Sequence, residues 1–269
     1  VREIKDLTII DAHCHIFPQK IAMKATQSIG DFYSIPMRYE GFPHVLVESG
    51  RRIGVKKYLV CSTATKPEQV ESINDFIYEK CKKYPEFFGF GTLHQHTPDY
   101  EAEIERIKSY GLHGIKLHPD FQRFHIDDPK MIPVYRAIAR EKLPVLFHMG
   151  DAHFDYSAPR RLANVMQQVP DLIAVAAHFG GYNEWDEADK WLKIPNVYYD
   201  TSSSLFALSK EKALKMIDHF GVEKFFFGTD FPMWDHVEEL NRFLALGLSE
   251  EENDMILYKN FERLFGITI

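Results

Sequence analysis

A chain of 269 residues that is 45% hydrophobic, 14% aromatic and 26% charged has enough apolar side chain for a large core, which excludes disorder and collagen-like structure. Thirty-nine acidic against 32 basic residues leave a formal charge of −7, which speaks against nucleic acid or a polybasic membrane contact. No apolar run approaches the roughly 20 residues of a membrane helix, and the charged start, Val1-Arg2-Glu3, does not read as a signal peptide. Cys14, Cys61 and Cys81 lack CxxC spacing and suit a reducing, cytoplasmic setting. Thirteen histidines ask for a chemical explanation.

In chain order, short runs rich in β-branched and aromatic residues read as strands at 8–12, 57–61, 87–92, 114–118, 144–148, 173–178, 196–200 and 224–230. Most strand ends fall about 30 residues apart, the length of a βαβ unit. Helical stripes lie between them. After the second strand, Val70, Ile73, Phe76, Ile77 and Cys81 share a face, with Thr65 and Glu68 spaced as a capping box. After the fourth, Asp128 reads as an N-cap and Pro129 as the first helical residue, ahead of Ile132, Tyr135 and Ile138. Leu162, Val165, Met166 and Val169 follow the fifth strand. Ala213, Met216, Ile217 and Phe220 follow the seventh and stop at Gly221, as a helix does at a glycine C′. Two helices follow the eighth, the second opening at Ser249 with Glu252 three residues on. Strands apolar on both faces, such as Val145-Leu146-Phe147, fit a parallel sheet covered on both sides. Eight such units predict an α/β fold, a single (β/α)8 TIM barrel filling residues 1–269 as one domain. The long insertion after strand one, 17–52, reads as a lid or substrate loop.

The predicted strand ends collect ionisable residues. Strand one ends in Asp11-Ala-His13-Cys-His15, and alternation puts His13 and His15 on one side. Two imidazoles so placed can grip one metal ion, although the pair alone fits two hydrogen-bonded barrel histidines equally well. Strand five ends in His148, strand six in His178 and strand eight in Asp230. Four strands thus send four histidines and an aspartate to one rim, where barrel enzymes build active sites.

These pieces, with Gly114-Ile-Lys-Leu-His118-Pro119, Ala177-His178-Phe-Gly-Gly181, Tyr199-Asp200-Thr201-Ser202, Gly228-Thr-Asp230-Phe-Pro232 and the closing Asn260-Phe-Glu-Arg-Leu-Phe-Gly266, resemble the amidohydrolase superfamily over nearly the full length. Within it they resemble the branch of aminocarboxymuconate semialdehyde decarboxylase, resorcylate decarboxylases and dicarboxylate lactonases. The resemblance implies that His13, His15, His148 and Asp230 are metal ligands. It places His178 beside the metal as a hydrogen-bonding or proton-transferring residue, or as another ligand if two metals bind. The cofactor is then a divalent ion, Zn2+ first and Mn2+ second. Such an ion brings the pKa of water to about 7; Asp230 can take the proton and His178 can hold the substrate oxygen.

The expected activity is hydrolysis of an amide, ester or lactone in a small organic acid, with non-oxidative decarboxylation as the alternative and a non-catalytic barrel as a remote third. Lys116 and His118 are candidate substrate contacts, Lys116 reading also as a bridging carboxylated lysine or a barrel ion pair. Arg38, Arg51, Arg123 and Arg160 are candidates for holding a substrate carboxylate. Asp200 either orients a ligand or caps a helix. His94, His96, His153 and Asp151 fall in rim loops; His44, His113, His125, His219 and His236 read as surface or cap residues. A homodimer is expected only by analogy.

Overall fold

The computed structural model describes residues 2–269. Strands and helices alternate along it, and the strands are β1 (Ile9–His15), β2 (Val55–Cys61), β3 (Phe87–Gly89), β4 (Gly91–Thr92), β5 (Ile115–Leu117), β6 (Val145–Phe147), β7 (Ala174–Ala176), β8 (Val197–Asp200) and β9 (Phe225–Phe226). The third expected strand is therefore interrupted at Phe90. Among the described residues no helix is long and apolar enough to cross a membrane.

The chain forms two compact units. One comprises Val1–Cys61, Lys83–Phe88 and Thr201–Ile269. In it β1 runs parallel to β2, His15 opposite Cys61, with irregularities in register between Ile9 and Ile10 and between Asp11 and Cys14. The strand's other side is followed by the segment after β9: Ala12 N donates to Phe227 O (2.8 Å), Asp230 N to His13 O (2.9 Å) and His15 N to Phe231 O (2.7 Å). Only Phe225 and Phe226 of the expected 224–230 strand form regular ladder, yet these bonds satisfy a buried backbone and pin Asp230 in place.

The insertion 17–52 is not an open loop. It folds into two helices, Ala22–Tyr33 and Pro43–Arg51, the latter with proline in its first turn. The turn between them is sewn to the residues after Asp230, Tyr39 N donating to Pro232 O (3.1 Å) and Tyr39 Oη to Asp235 (2.5 Å). It is a built wall of the same unit.

The other unit, Ser62–Lys82 with Gly89–Asp200, carries β4 to β8 in order, parallel between neighbours and in unbroken register through Lys116, Leu146, Val175 and Tyr198. Val145, Leu146 and Phe147 of β6 are fully buried, each contributing about 1.5–3 kcal/mol of apolar burial. Helix Pro159–Gln168 buries Leu162, Val165 and Met166 as its stripe requires.

Helix starts differ from expectation twice. Gln69, not Glu68, reaches back to Thr65 N (2.9 Å) and Lys66 N (3.2 Å), because the intervening Pro67 opens a single 3-10 turn first. Asp128 accepts from Lys130 N (2.9 Å) in a turn of its own, and the helix begins at Ile132 with Pro133 in its first turn. The Ser249–Glu252 capping box and the Gly221 stop occur as expected.

Candidate metal centre

His13 and His15 close β1, and their Nε2 atoms lie 3.1 Å apart. Asp230 Oδ1 is 3.3 Å from the first and 3.0 Å from the second. All three side chains are at least seven-eighths buried. Alternation explains the pair; the long-range pairing of 227–231 along β1 brings the carboxylate. Gly228 permits the approach, since a Cβ there would meet the His13 Cβ at 3.0 Å. Asp230 holds a left-handed backbone (φ 59°), which aspartate tolerates better than most residues and which tends to mark functional positions.

The three donor atoms fit a divalent ion. Ligand atoms about 2.1 Å from one metal lie roughly 3.0–3.4 Å from each other in octahedral or tetrahedral geometry, the spacing seen between these three. Acceptor atoms facing each other this closely repel unless a cation or proton lies among them. The same demand acts on His15. Burial opposes its charging but is outweighed by Cys61 and Asp230, and its pKa is pushed up to about 9.

Behind the trio lies a buried hydrogen-bonded network centred on Asp11. Asp11, fully buried, accepts from His13 N (3.2 Å), Thr229 N (3.0 Å) and Thr229 Oγ1 (2.5 Å). His236 Nε2 lies 2.8 Å from Oδ2, the oxygen that also accepts from Thr229 Oγ1, and His236 Nδ1 lies 2.7 Å from Ser49 Oγ. His236 is therefore no surface histidine: it opens helix His236–Leu244, is fully buried, and ties β1 to two helices. Its helical position offered no clue, because its partner is 225 residues away.

The second unit gathers the other histidines. His148 follows β6, and its Nδ1 is 3.1 Å from His178 Nε2, its Nε2 2.8 Å from Gly150 O and 3.6 Å from Asp120 Oδ2. Both nitrogens of His148 thus meet partners inside this unit. Burial pushes the Asp120 carboxyl up to about 7, against a hydrogen bond from Ser157. His178 also sits in a left-handed backbone (φ 61°). Its backbone N–H donates to Asp200 Oδ1 (3.0 Å). His118, Asp120 and His148 form a buried group with metal-ligand spacing of their own.

His118 stacks between Phe121 (3.6 Å) and His148 (3.9 Å), and its Nδ1 accepts from Phe121 N (3.1 Å) at the start of a short helix. Lys116 is fully buried in β5. Of the arginines, Arg38 pairs with Glu238 and Arg160 with Asp155, both at 3.0 Å on the surface. His94 Nδ1 accepts from His96 N (3.1 Å), and Asp151 caps His153 N (2.8 Å) within their loops.

Residues 10–267 match the amidohydrolase family profile. The chain belongs to the amidohydrolase family. This amidohydrolase is an enzyme, and its solved neighbours share its TIM-barrel fold. An uncharacterised TIM-barrel protein of Bordetella bronchiseptica has a TM-score of 0.80 at 20% identity, covering 97% of this chain and 99% of its own. A 5-carboxyvanillate decarboxylase of Novosphingobium aromaticivorans, complexed with manganese and 4-hydroxy-3-methoxy-5-nitrobenzoic acid, has 0.77 at 17%, covering 98% and 97%. A candidate 2-pyrone-4,6-dicarboxylic acid hydrolase of Pseudomonas putida has 0.71 at 16%, covering 98% and 99%.

Proposed function

We propose that this amidohydrolase, with residues 1–269 as one catalytic domain, uses a divalent metal to hydrolyse an amide, ester or lactone bond in a small organic acid. The observation that carries the reading is the convergence of His13 Nε2, His15 Nε2 and Asp230 Oδ1 within 3.3 Å of one another. His148 is the proposed fourth donor, a role in which it exchanges its contact with His178 or Gly150 for the ion. The manganese reported with the decarboxylase neighbour makes Mn2+ as good a candidate as Zn2+.

A divalent ion held there supplies Lewis acidity and makes water reactive at neutral pH. The protein's own part is to hold and move protons. Asp230 accepts the proton of the attacking water at its carboxylate and returns it to the leaving group. His178 holds, by a hydrogen bond, the substrate oxygen on which charge develops. Lys116 and His118 are the proposed contacts of a substrate carboxylate.

A second reading, non-oxidative decarboxylation, is favoured by the decarboxylase neighbours with aromatic acids. The two separate on products. Zinc- or manganese-loaded protein is assayed against a panel of lactones, esters and amides for acid release, and against hydroxybenzoic acids for CO2. Acid release is expected; CO2 alone overturns hydrolysis in favour of the second reading.

A further inference from the structure

Each of the three converging donors has a small polar side chain at its far atom. Ser202 Oγ lies 3.2 Å from His13 Nδ1. Cys61 Sγ lies 3.9 Å from His15 Nδ1. Ser203 Oγ donates to Asp230 Oδ2 at 2.6 Å and itself accepts from Trp234 Nε1 at 2.9 Å. All of these residues lie in one compact unit and, apart from the partly exposed His15, are buried.

We infer that Ser202, Cys61 and Ser203 are positioning residues that prepare the donor set for a cation, an inference resting on the metal reading above. The hydrogen bookkeeping carries it. Cys61 Sγ also lies 3.5 Å from Cys14 O, an acceptor that takes the thiol hydrogen and leaves sulfur lone pairs toward His15 Nδ1. When a cation displaces the Nε2 proton of this ring, Nδ1 is the nitrogen that keeps its hydrogen, which leaves the Nε2 lone pair on the metal side. Ser202 Oγ, 3.2 Å from His13 Nδ1, is assigned the acceptor's part there, the role that the histidine-labelling experiment below tests. The Ser203 hydroxyl has one hydrogen, and the carboxylate at 2.6 Å outcompetes the thioether of Met233 at 3.5 Å. Asp230 Oδ2 is thereby occupied and Oδ1 is presented to the imidazoles. Ser202 and Ser203 are adjacent in the chain, so one turn after β8 sets two ligands, while β2 sets the third through the pairing of His15 with Cys61.

The test is a Mn2+ titration of metal-free protein by chelator competition, with folding followed by circular dichroism and melting temperature. Ser202→Ala, Ser203→Ala and Cys61→Ala are expected to weaken Mn2+ by about 10–100-fold with the apo melting curve unchanged. Cys61→Ser and Ser203→Thr, which keep an acceptor or donor in place, are expected to restore binding to within about threefold of wild type; they also serve where an alanine variant fails to fold. In zinc-loaded, 15N-histidine-labelled protein, both rings are expected to carry the proton on Nδ1, and Ser202→Ala to lose that preference at His13. Unchanged Mn2+ affinity in folded alanine variants, or conservative variants as weak as alanine, overturns the inference while leaving the metal reading intact. A wild-type protein that binds no Mn2+ or Zn2+ overturns the metal reading itself, and this inference with it.

Discussion

The His13–His15–Asp230 trio and the His148–His178–His118 group are both built around histidines, yet their nitrogens meet different surroundings. In the first, acceptor atoms point at one another across about 3 Å while their far sides are anchored. In the second, the inward-facing nitrogens already meet hydrogen-bond partners: His148 between His178 and Gly150, and His118 on a backbone amide. Converging acceptors call for a cation, whereas donors and acceptors that already meet one another are satisfied without one. Histidine count alone says neither; the direction of the lone pairs does.

The difference can be broken most forcefully at Asp230. Asp230→Asn keeps the shape but removes the charge that balances the ion, and it is expected to lose metal and at least about 10³-fold in turnover, with the fold retained by circular dichroism. Metal content by elemental analysis and near-normal rates together would sink both the ligand and the proton-carrying role.

Next in size is the anchor beneath the trio. Asp11→Asn leaves His236 buried against a neutral partner and weakens the hold on Thr229, next to Asp230 in the chain. A buried donor or acceptor left without its partner costs about 1–3 kcal/mol. The amide keeps one acceptor but sets its NH2 against donors that now face the carboxylate, so the expected loss in chemical denaturation is about 2–3 kcal/mol. A loss under about 1 kcal/mol would mean that the network is incidental.

The smallest expected effect sharpens the contrast from the other side. His178→Asn is expected to keep full metal content while lowering kcat by about 10²-fold, the usual worth of one proton-transferring group. Metal loss in this variant would move His178 from the proton-handling group into the ligand set.

Much of the architecture is legible in the residues themselves. The period of about 30 residues, the two-sided apolar strands and the Gly221 and Ser249 boundaries are consequences of local patterning, and the family match over 10–267 agrees with them. Pairing of His13 with His15 follows from strand alternation. The misreadings have a common origin in short competing turns: Pro67 delays one helix and the Asp128 turn another, and neither contest is decided by spacing alone. The insertion 17–52 looked like a loop because its prolines and aromatics lack a long stripe, but its first helix is tied within the insertion, Gly41 N donating to Thr26 Oγ1, and its second meets His236 through Ser49.

What the sequence determined by itself is the set of side chains at strand ends, because period-two alternation and the βαβ repeat depend only on neighbours along the chain. Tertiary structure alone decided which of those side chains face one another and which atoms they present. Asp11 with His236, Ser202 with His13 and Cys61 with His15 lie 225, 189 and 46 residues apart. A histidine has two nitrogens, and only the partner at the far one decides which lone pair is left for an ion.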